Sequence, residues 1–483
     1  MSLCTIRLCT DVPGAVISPN IYGQFAAHAG RCIYEGVWVG SRSKIPNEHG
    51  VRLDVLAALK QLRAPVIRWP GGCFASTYHW RDGVGPADQR PQTANMSSQQ
   101  AEPNTFGTGE FLQLCAAAGS SPYICLNVGS GSVREALEWV EFCNHGGDTS
   151  ITRLRPGPPN AVKYWGVGNE PWGCGGGFSA ADYAREYRRY AAYLKAADAG
   201  IELVACGCGG GGPADWNYGF CEAMGRADWI DHLAIQRWFT RGNGQNFSDS
   251  DYHALFGDLV AFERDLDHVE HILASRFPEK TVGIAVDEWG MRHPEASVDN
   301  GFEQANTLRD AVFAGAALNL FNRRASRVTM ANLAQAINAF QSIAITEGGR
   351  MVLTPTYYVY DMMRYHMGAR SVAAQVCCDR YAAEGAGHAA YISASASISG
   401  SKVLLTVANQ TTDHDVETRI ELGGTKLAGA VGRVLTSGGP RDCNTFEMPK
   451  TVFPKHLKLD PVKGELVCVF PRHSFTSLNL SLS

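Results

Sequence analysis

Two glutamates each close a short apolar run and each has a tryptophan within two residues: Gly168-Asn169-Glu170-Pro171-Trp172 and Asp287-Glu288-Trp289-Gly290. A carboxyl group carried into apolar, aromatic surroundings loses solvation, which raises its pKa toward neutrality and lets it hold a proton. A second carboxyl facing it completes the equipment for glycoside cleavage: one group protonates the leaving oxygen and the other attacks the sugar carbon. Either glutamate alone reads equally well as a strand-end charge. The pair, with Asn169 before one and Trp289 after the other, reads as an acid/base (Glu170) and a nucleophile (Glu288). Trp172 and Trp289 are candidate platforms for stacking on sugar rings.

Such a pair needs a scaffold that brings distant strand ends together. Eight apolar, β-rich runs alternate with amphipathic stretches: 21–27, 64–71, 122–129, 162–170, 201–209, 230–239, 281–289 and 327–335. Their near-continuous apolar character predicts strands buried on both faces of a parallel sheet. Helical periodicity between them, as in 51–62, 110–119, 179–198, 254–277 and 304–322, predicts an α/β chain built as a (β/α)8 TIM barrel. A doubly wound open sheet would carry a Gly-rich turn after its first strand, and none is present. In a TIM barrel the active site lies at the C-terminal strand ends, where Glu170 (fourth run) and Glu288 (seventh) fall. Beyond about residue 370 the pattern changes to short alternating runs, predicting a C-terminal antiparallel β-sandwich. The expected organisation is therefore an N-terminal strand joining the sandwich (1–18), a catalytic barrel (19–370) and the sandwich (371–483).

Composition narrows the partners. The chain has 483 residues and a net charge of −4, which gives no basic field for nucleic acid. No run approaches the roughly 20 apolar residues of a membrane helix, and no signal peptide is visible, so a cytoplasmic protein with no membrane partner is expected. The fifteen cysteines are scattered and odd in number, predicting buried free thiols. The close pairs Cys206/Cys208 and Cys377/Cys378 lack zinc or redox spacing, so no metal and no cofactor are expected.

Longer segments carry a resemblance. Residues 21–40, 67–86, 164–176 and 306–362, together with the two glutamate motifs, resemble glycoside hydrolase family 51, the α-L-arabinofuranosidases of clan A, over nearly the whole chain. The resemblance implies a barrel with a C-terminal β-sandwich, often assembled as a homo-hexamer. It implies an exo-acting retaining enzyme that trims arabinofuranose from hemicellulose-derived oligosaccharides, some members being β-xylosidases or endo-β-1,4-glucanases. It assigns Glu170 as acid/base, Glu288 as nucleophile, Asn169 as the partner of the sugar 2-hydroxyl, and Cys73 and Gln335 as sugar contacts. A carbohydrate-binding protein without turnover is the competing class, and retention of both carboxylates argues against it. Three positions depart from the family pattern. Ala27 stands where a sugar-binding Glu is usual, and Gln236 and Trp238 stand where His and Tyr are usual. These changes spare the carboxylate pair and predict an altered −1 subsite, hence a weak arabinofuranosidase or an enzyme that prefers another sugar.

Overall fold

The computed structural model describes residues 4–210, 212–384, 387–457, 459 and 466–483. The first three residues of the N-terminal segment lie outside it. Eight parallel strands close into a barrel in chain order: Gly23–Phe25, Val66–Trp69, Ser121–Leu126, Tyr164–Val167, Glu202–Cys206, His232–Phe239, Gly283–Met291 and Val328–Ala334. The last pairs with the first through Asn332 and Gly23. Each strand coincides with one of the eight apolar runs, the third starting one residue before its run at Ser121 and the seventh ending two residues beyond its run at Met291. Val66, Tyr123, Val204, Ala234, Ala285 and Met330 form a small separate cluster inside the barrel, while the larger core fills the shell between strands and helices.

Helices α1 (Leu53–Leu62), α2 (Thr108–Ala118), α3 (Val133–Asn144), α4 (Ala180–Ala197), α5 (Trp216–Met224), α6 (Asp249–Arg276), α7 (Leu308–Arg323) and α8 (Pro355–Met363) surround the barrel. Five were legible from their periodicity; α3, α5 and α8 are additions. Their starts follow local chemistry. Ser179 caps α4 and Ser248 closes a capping box on α6, each satisfying amides that the first turn leaves unpaired.

Apart from four two-stranded hairpin sheets, the remaining described strands form two facing sheets. One holds Ala374–Cys377, Cys4–Leu8, Val416–Glu421 and Leu466–Phe470 in that order. The other runs from Arg370–Val372 through Ile392–Ser399, Lys402–Asn409, Ser474–Leu482 and Leu427–Leu435 to Lys455–Leu457. Ile6, Leu8, Leu405, Val407, Ile420 and Phe470 fill the space between them. The N-terminal strand runs antiparallel to Ala374–Cys377 but parallel to Val416–Glu421, the one parallel pairing among the described residues of the sandwich.

Helix α7 is buried between barrel and sandwich. Its Asn319 accepts from Ser395 and Thr406, and Phe475 fills the space a side chain at Gly315 would need. Beside it, His366 is fully buried between the hydroxyls of Ser397 and Thr406, at 2.7 and 2.9 Å. Burial drives its pKa down to about 3, so it is neutral.

Candidate active site

The fourth barrel strand ends at Val167, and the chain then turns sharply through Gly168 (φ +91°) and Asn169 to Glu170. Glu170 itself is left-handed (φ +39°), a conformation that a non-glycine residue keeps only when its surroundings enforce it. The enforcement is visible: the amides of Gly173 and Gly175 both donate to the Glu170 carbonyl, at 2.9 and 3.0 Å. A Cβ on Gly175 would meet the Asn169 carbonyl oxygen at 2.1 Å, so only glycine closes this turn.

Glu288 is aimed by a β-bulge. Val286 pairs with Ile235, but the next paired residue opposite Gln236 is Glu288, leaving Asp287 as the extra residue. A bulge resets which face the following side chains take. Asp287 accepts from the Tyr123 hydroxyl at 2.9 Å inside the barrel, and Glu288 also points inward. Trp289 therefore faces the helices. It is fully buried and packs edge-on against Phe321 of α7, 5.2 Å between centroids. This corrects the expectation that Trp289 is a sugar platform, since no face of its ring is free.

Arg68, from the second strand, joins the two halves of the site. Its NH1 donates to Glu288 Oε2 at 3.1 Å and to the Asp287 carbonyl at 3.0 Å, and its NH2 donates to Asn169 Oδ1 at 2.7 Å. Gln236 Nε2 donates to the same Asn169 oxygen at 2.8 Å. With Oδ1 held by two donors, the Asn169 amide is fixed, and its Nδ2 makes only a long contact, 3.8 Å, to Cys174 Sγ. Above this group, a Cβ on Gly72 would lie 2.9 Å from Glu288 Oε2 and 3.5 Å from Asn169 Nδ2, so the backbone there must be glycine for anything to approach the carboxylate.

The loop bearing Gly72 is braced by residues that sequence reasoning passed over. Phe74 stacks on His28 at 4.6 Å. Trp69 donates to His28 Nε2 at 3.0 Å, which places the imidazole proton on Nδ1, 2.7 Å from Glu102. Arg68 and Asp287 were missed as site members too. Their signal was a charge in mid-strand: a buried guanidinium needs a buried acid.

Burial raises both candidate carboxyls. Glu288 is pushed up to about 7, with Arg68 opposing and the neighbouring charge of Glu170 adding to the rise. Glu170 is raised by burial, with Arg68 and Arg292 opposing and Asp287 reinforcing. The charge of each carboxyl in one desolvated site disfavours the charge of the other, so their titrations are linked. Arg68 bonds Glu288 and not Glu170, so its guanidinium acts on Glu288 by a direct hydrogen bond as well as by charge.

Cys73 is not a free thiol. It forms a disulfide with Cys174, joining the loops after the second and fourth strands, and both sulfurs lie against Glu170 Oε2, at 3.6 and 3.5 Å. This corrects the expectation that all cysteines are unpaired; the other thirteen are free. Gln335, just past the end of the eighth strand, accepts from the Ala27 amide at 3.0 Å. Ala27 packs with Phe25, Ala334 and Trp238, and Trp238 leans on Phe340 at 4.7 Å. Two of the three departures thus form one apolar wall, whereas Gln236 is a working hydrogen-bond donor. Trp172 is partly exposed and sits edge-on to Trp216 at 4.8 Å.

Comparison with known proteins agrees with this geometry. Residues 58–253 match the profile of the α-L-arabinofuranosidase 1 domain, and residues 287–474 that of the α-L-arabinofuranosidase C-terminal domain. The chain is 38% identical to an intracellular exo-α-L-arabinofuranosidase of Bacteroides ovatus, over 99% of this chain and 95% of that one. It is 33% identical to a probable α-L-arabinofuranosidase C of Aspergillus terreus, over 96% and 94%. Among solved structures, the arabinofuranosidase of Xanthomonas axonopodis pv. citri superposes with a TM-score of 0.94 at 32% identity, covering 99% of this chain and all of that one.

Proposed function

The chain belongs to glycoside hydrolase family 51, the α-L-arabinofuranosidases, and we propose that it is an exo-acting, retaining enzyme that removes terminal arabinofuranose from hemicellulose-derived oligosaccharides. The observation that carries this reading is the unequal treatment of the two carboxyls. The Arg68 hydrogen bond favours the ionised form of Glu288 against the rise that burial causes, which suits the nucleophile, while half-buried Glu170 is raised by desolvation and has no bonded cation, which suits the acid. In the first step Glu288 attacks the anomeric carbon as Glu170 protonates the departing oxygen, leaving a glycosyl ester on Glu288. In the second, Glu170 takes a proton from water, which attacks the same carbon and releases the sugar. The Nδ2 of Asn169 is oriented to donate to the sugar 2-hydroxyl in both steps.

Aryl glycosides test the assignment. Glu170→Ala retains the first step on activated aryl arabinofuranosides, and azide accelerates its second step with a glycosyl azide as product. Glu288→Ala is inactive on every substrate. Azide product of retained anomeric form from Glu288→Ala, with product of inverted form from Glu170→Ala, would reverse the roles. A panel of arabinofuranoside, xyloside, glucoside and galactofuranoside identifies the sugar, with the arabinofuranoside expected to be preferred.

A cytoplasmic location is supported by the Bacteroides ovatus relative, whose name calls it intracellular. Among the described residues no helix is long and apolar enough to cross a membrane. Assembly as a homo-hexamer, implied by the family resemblance, is checked by light scattering after size exclusion.

A further inference from the structure

Among the described residues, one group of three metal-ligating side chains brings its donor atoms within 4.8 Å of one another: Cys73, Glu170 and Cys174. Two of the three are the disulfide that lies against the acid/base. We propose that reduction of this disulfide turns the acid/base subsite into an inhibitory binding site for a thiophilic divalent cation of the zinc type, held by both sulfurs and by Glu170 Oε2.

The distances carry the argument. Glu170 Oε2 is 3.6 Å from Cys73 Sγ and 3.5 Å from Cys174 Sγ. Tetrahedral zinc, with Zn–S near 2.3 Å and Zn–O near 2.0–2.2 Å, sets neighbouring S and O ligands about 3.5 Å apart. Two edges of a coordination tetrahedron are therefore already in place. The third edge forms when the S–S bond is cut and the sulfurs part to about 3.7 Å. The Cα atoms are 5.5 Å apart, which side-chain rotation can accommodate without moving either loop. Cys174 is exposed, so a cation has a route in and water has access to the fourth position. The remaining free cysteines join no such three-ligand group among the described residues.

The chemistry balances with a small dithiol as reductant. The protein disulfide gains two electrons and two protons and becomes two thiols, and the reductant closes to its cyclic disulfide. The cation then displaces both thiol protons and takes one lone pair from Glu170. A Glu170 oxygen bound to metal cannot carry the proton that the leaving group needs. The oxidised enzyme, whose sulfurs are bonded to each other, is indifferent to the cation. The inhibition rests on Glu170 being the acid/base, whereas the metal binding does not.

The experiment compares the full-length enzyme before and after reduction with dithiothreitol, removed anaerobically by gel filtration. Cobalt(II) serves as the spectroscopic probe and zinc as the inhibitor. Reduced enzyme should show a near-ultraviolet thiolate-to-cobalt charge-transfer band that saturates at one equivalent more than in the Cys73→Ser/Cys174→Ser variant. Oxidised enzyme should lack it. Glu170→Gln should keep the band with affinity weakened roughly ten-fold or more. Zinc inhibition, scored against each protein's own zinc-free rate, should tighten roughly ten-fold or more on reduction and reverse with EDTA. If the double variant is not folded by circular dichroism, Cys174→Ser alone supplies the comparison. Equal zinc sensitivity of oxidised and reduced enzyme, or an unchanged cobalt spectrum in the serine variant, overturns the proposal. A full cobalt band without inhibition upholds the metal site and instead overturns the role given to Glu170.

Discussion

Gln236 donates its amide proton to Asn169 Oδ1 at 2.8 Å, alongside the Arg68 donor at 2.7 Å. A residue that departs from the family pattern thus orients the amide next to the acid/base. Replacing it with Leu removes one neutral hydrogen bond, worth roughly 0.5–1.5 kcal/mol. Steady-state kinetics on an aryl arabinofuranoside should show kcat/KM falling about three- to ten-fold for Gln236→Leu. Gln236→His, which can also donate, should stay within about two-fold of the parent. Equal losses in both would remove the orienting role.

The other two departures behave differently, because Ala27 and Trp238 pack together as an apolar wall. Restoring polar groups there, as Ala27→Glu with Trp238→Tyr, should raise kcat/KM on the arabinofuranoside by roughly ten-fold if one sugar hydrogen bond is regained. The Gln335 bond to the Ala27 backbone does not involve the side chain and survives the change. No gain from the double variant would mean that this wall does not limit the sugar.

The coupled carboxyls predict a pH profile. The productive form has Glu288 ionised and Glu170 protonated, so kcat/KM should be bell-shaped, its limbs belonging to the pair. Part of the rise that takes Glu288 to about 7 comes from the charge of Glu170. Glu170→Gln removes that charge, so the acid limb should move to lower pH. The alkaline limb should vanish for an activated aryl substrate, because no acid remains to lose its proton. An acid limb that stays in place would show that the two groups do not interact.

Gly72 gives a test of close approach. A methyl group there would sit 2.9 Å from Glu288 Oε2. Gly72→Ala should lower kcat by roughly ten-fold or more, while the melting temperature changes little, since the crowding falls on the reacting carboxylate and not on the core. A variant with parental kcat would mean that the carboxylate has room to yield.

His366 sets an acid limit on stability. Its folded pKa of about 3 lies below the unfolded value near 6.5, so unfolded chains take up a proton that the folded protein refuses. Its contribution is complete above the unfolded value and is lost as pH falls toward the folded one. Between pH 7 and pH 5 the loss is about 2 kcal/mol. Denaturant titrations at the two pH values should show this drop in the parent and a smaller one in His366→Gln.

What could be read from the sequence follows from what is periodic. The eight barrel strands announce themselves because each is apolar on both faces, and the strand-end rule then isolates Glu170 and Glu288. The orientation of Trp289 was not legible, because the bulge at Asp287 changes the facing of every later residue in the strand without leaving a compositional mark. The Cys73–Cys174 bond joins two loops 101 residues apart, and nothing in either loop names its partner. Arg68 was legible in principle, as a lone charge within Val66–Trp69, but its partners emerge only when the barrel closes.

The N-terminal strand has a consequence for how the chain is made. Ile6 is held between Val376 and Ile420, so a strand made early takes its place between strands made some 370 to 414 residues later. At about 5–20 residues per second, roughly 20–80 s separate its synthesis from that of its neighbours. During that interval Cys4, Ile6 and Leu8, all buried in the finished sheet, form an unpaired apolar edge on the nascent polypeptide, of the sort that holding chaperones bind. Protease treatment of ribosome-stalled chains should cut this segment freely until the sandwich strands have emerged, while barrel strands already made resist.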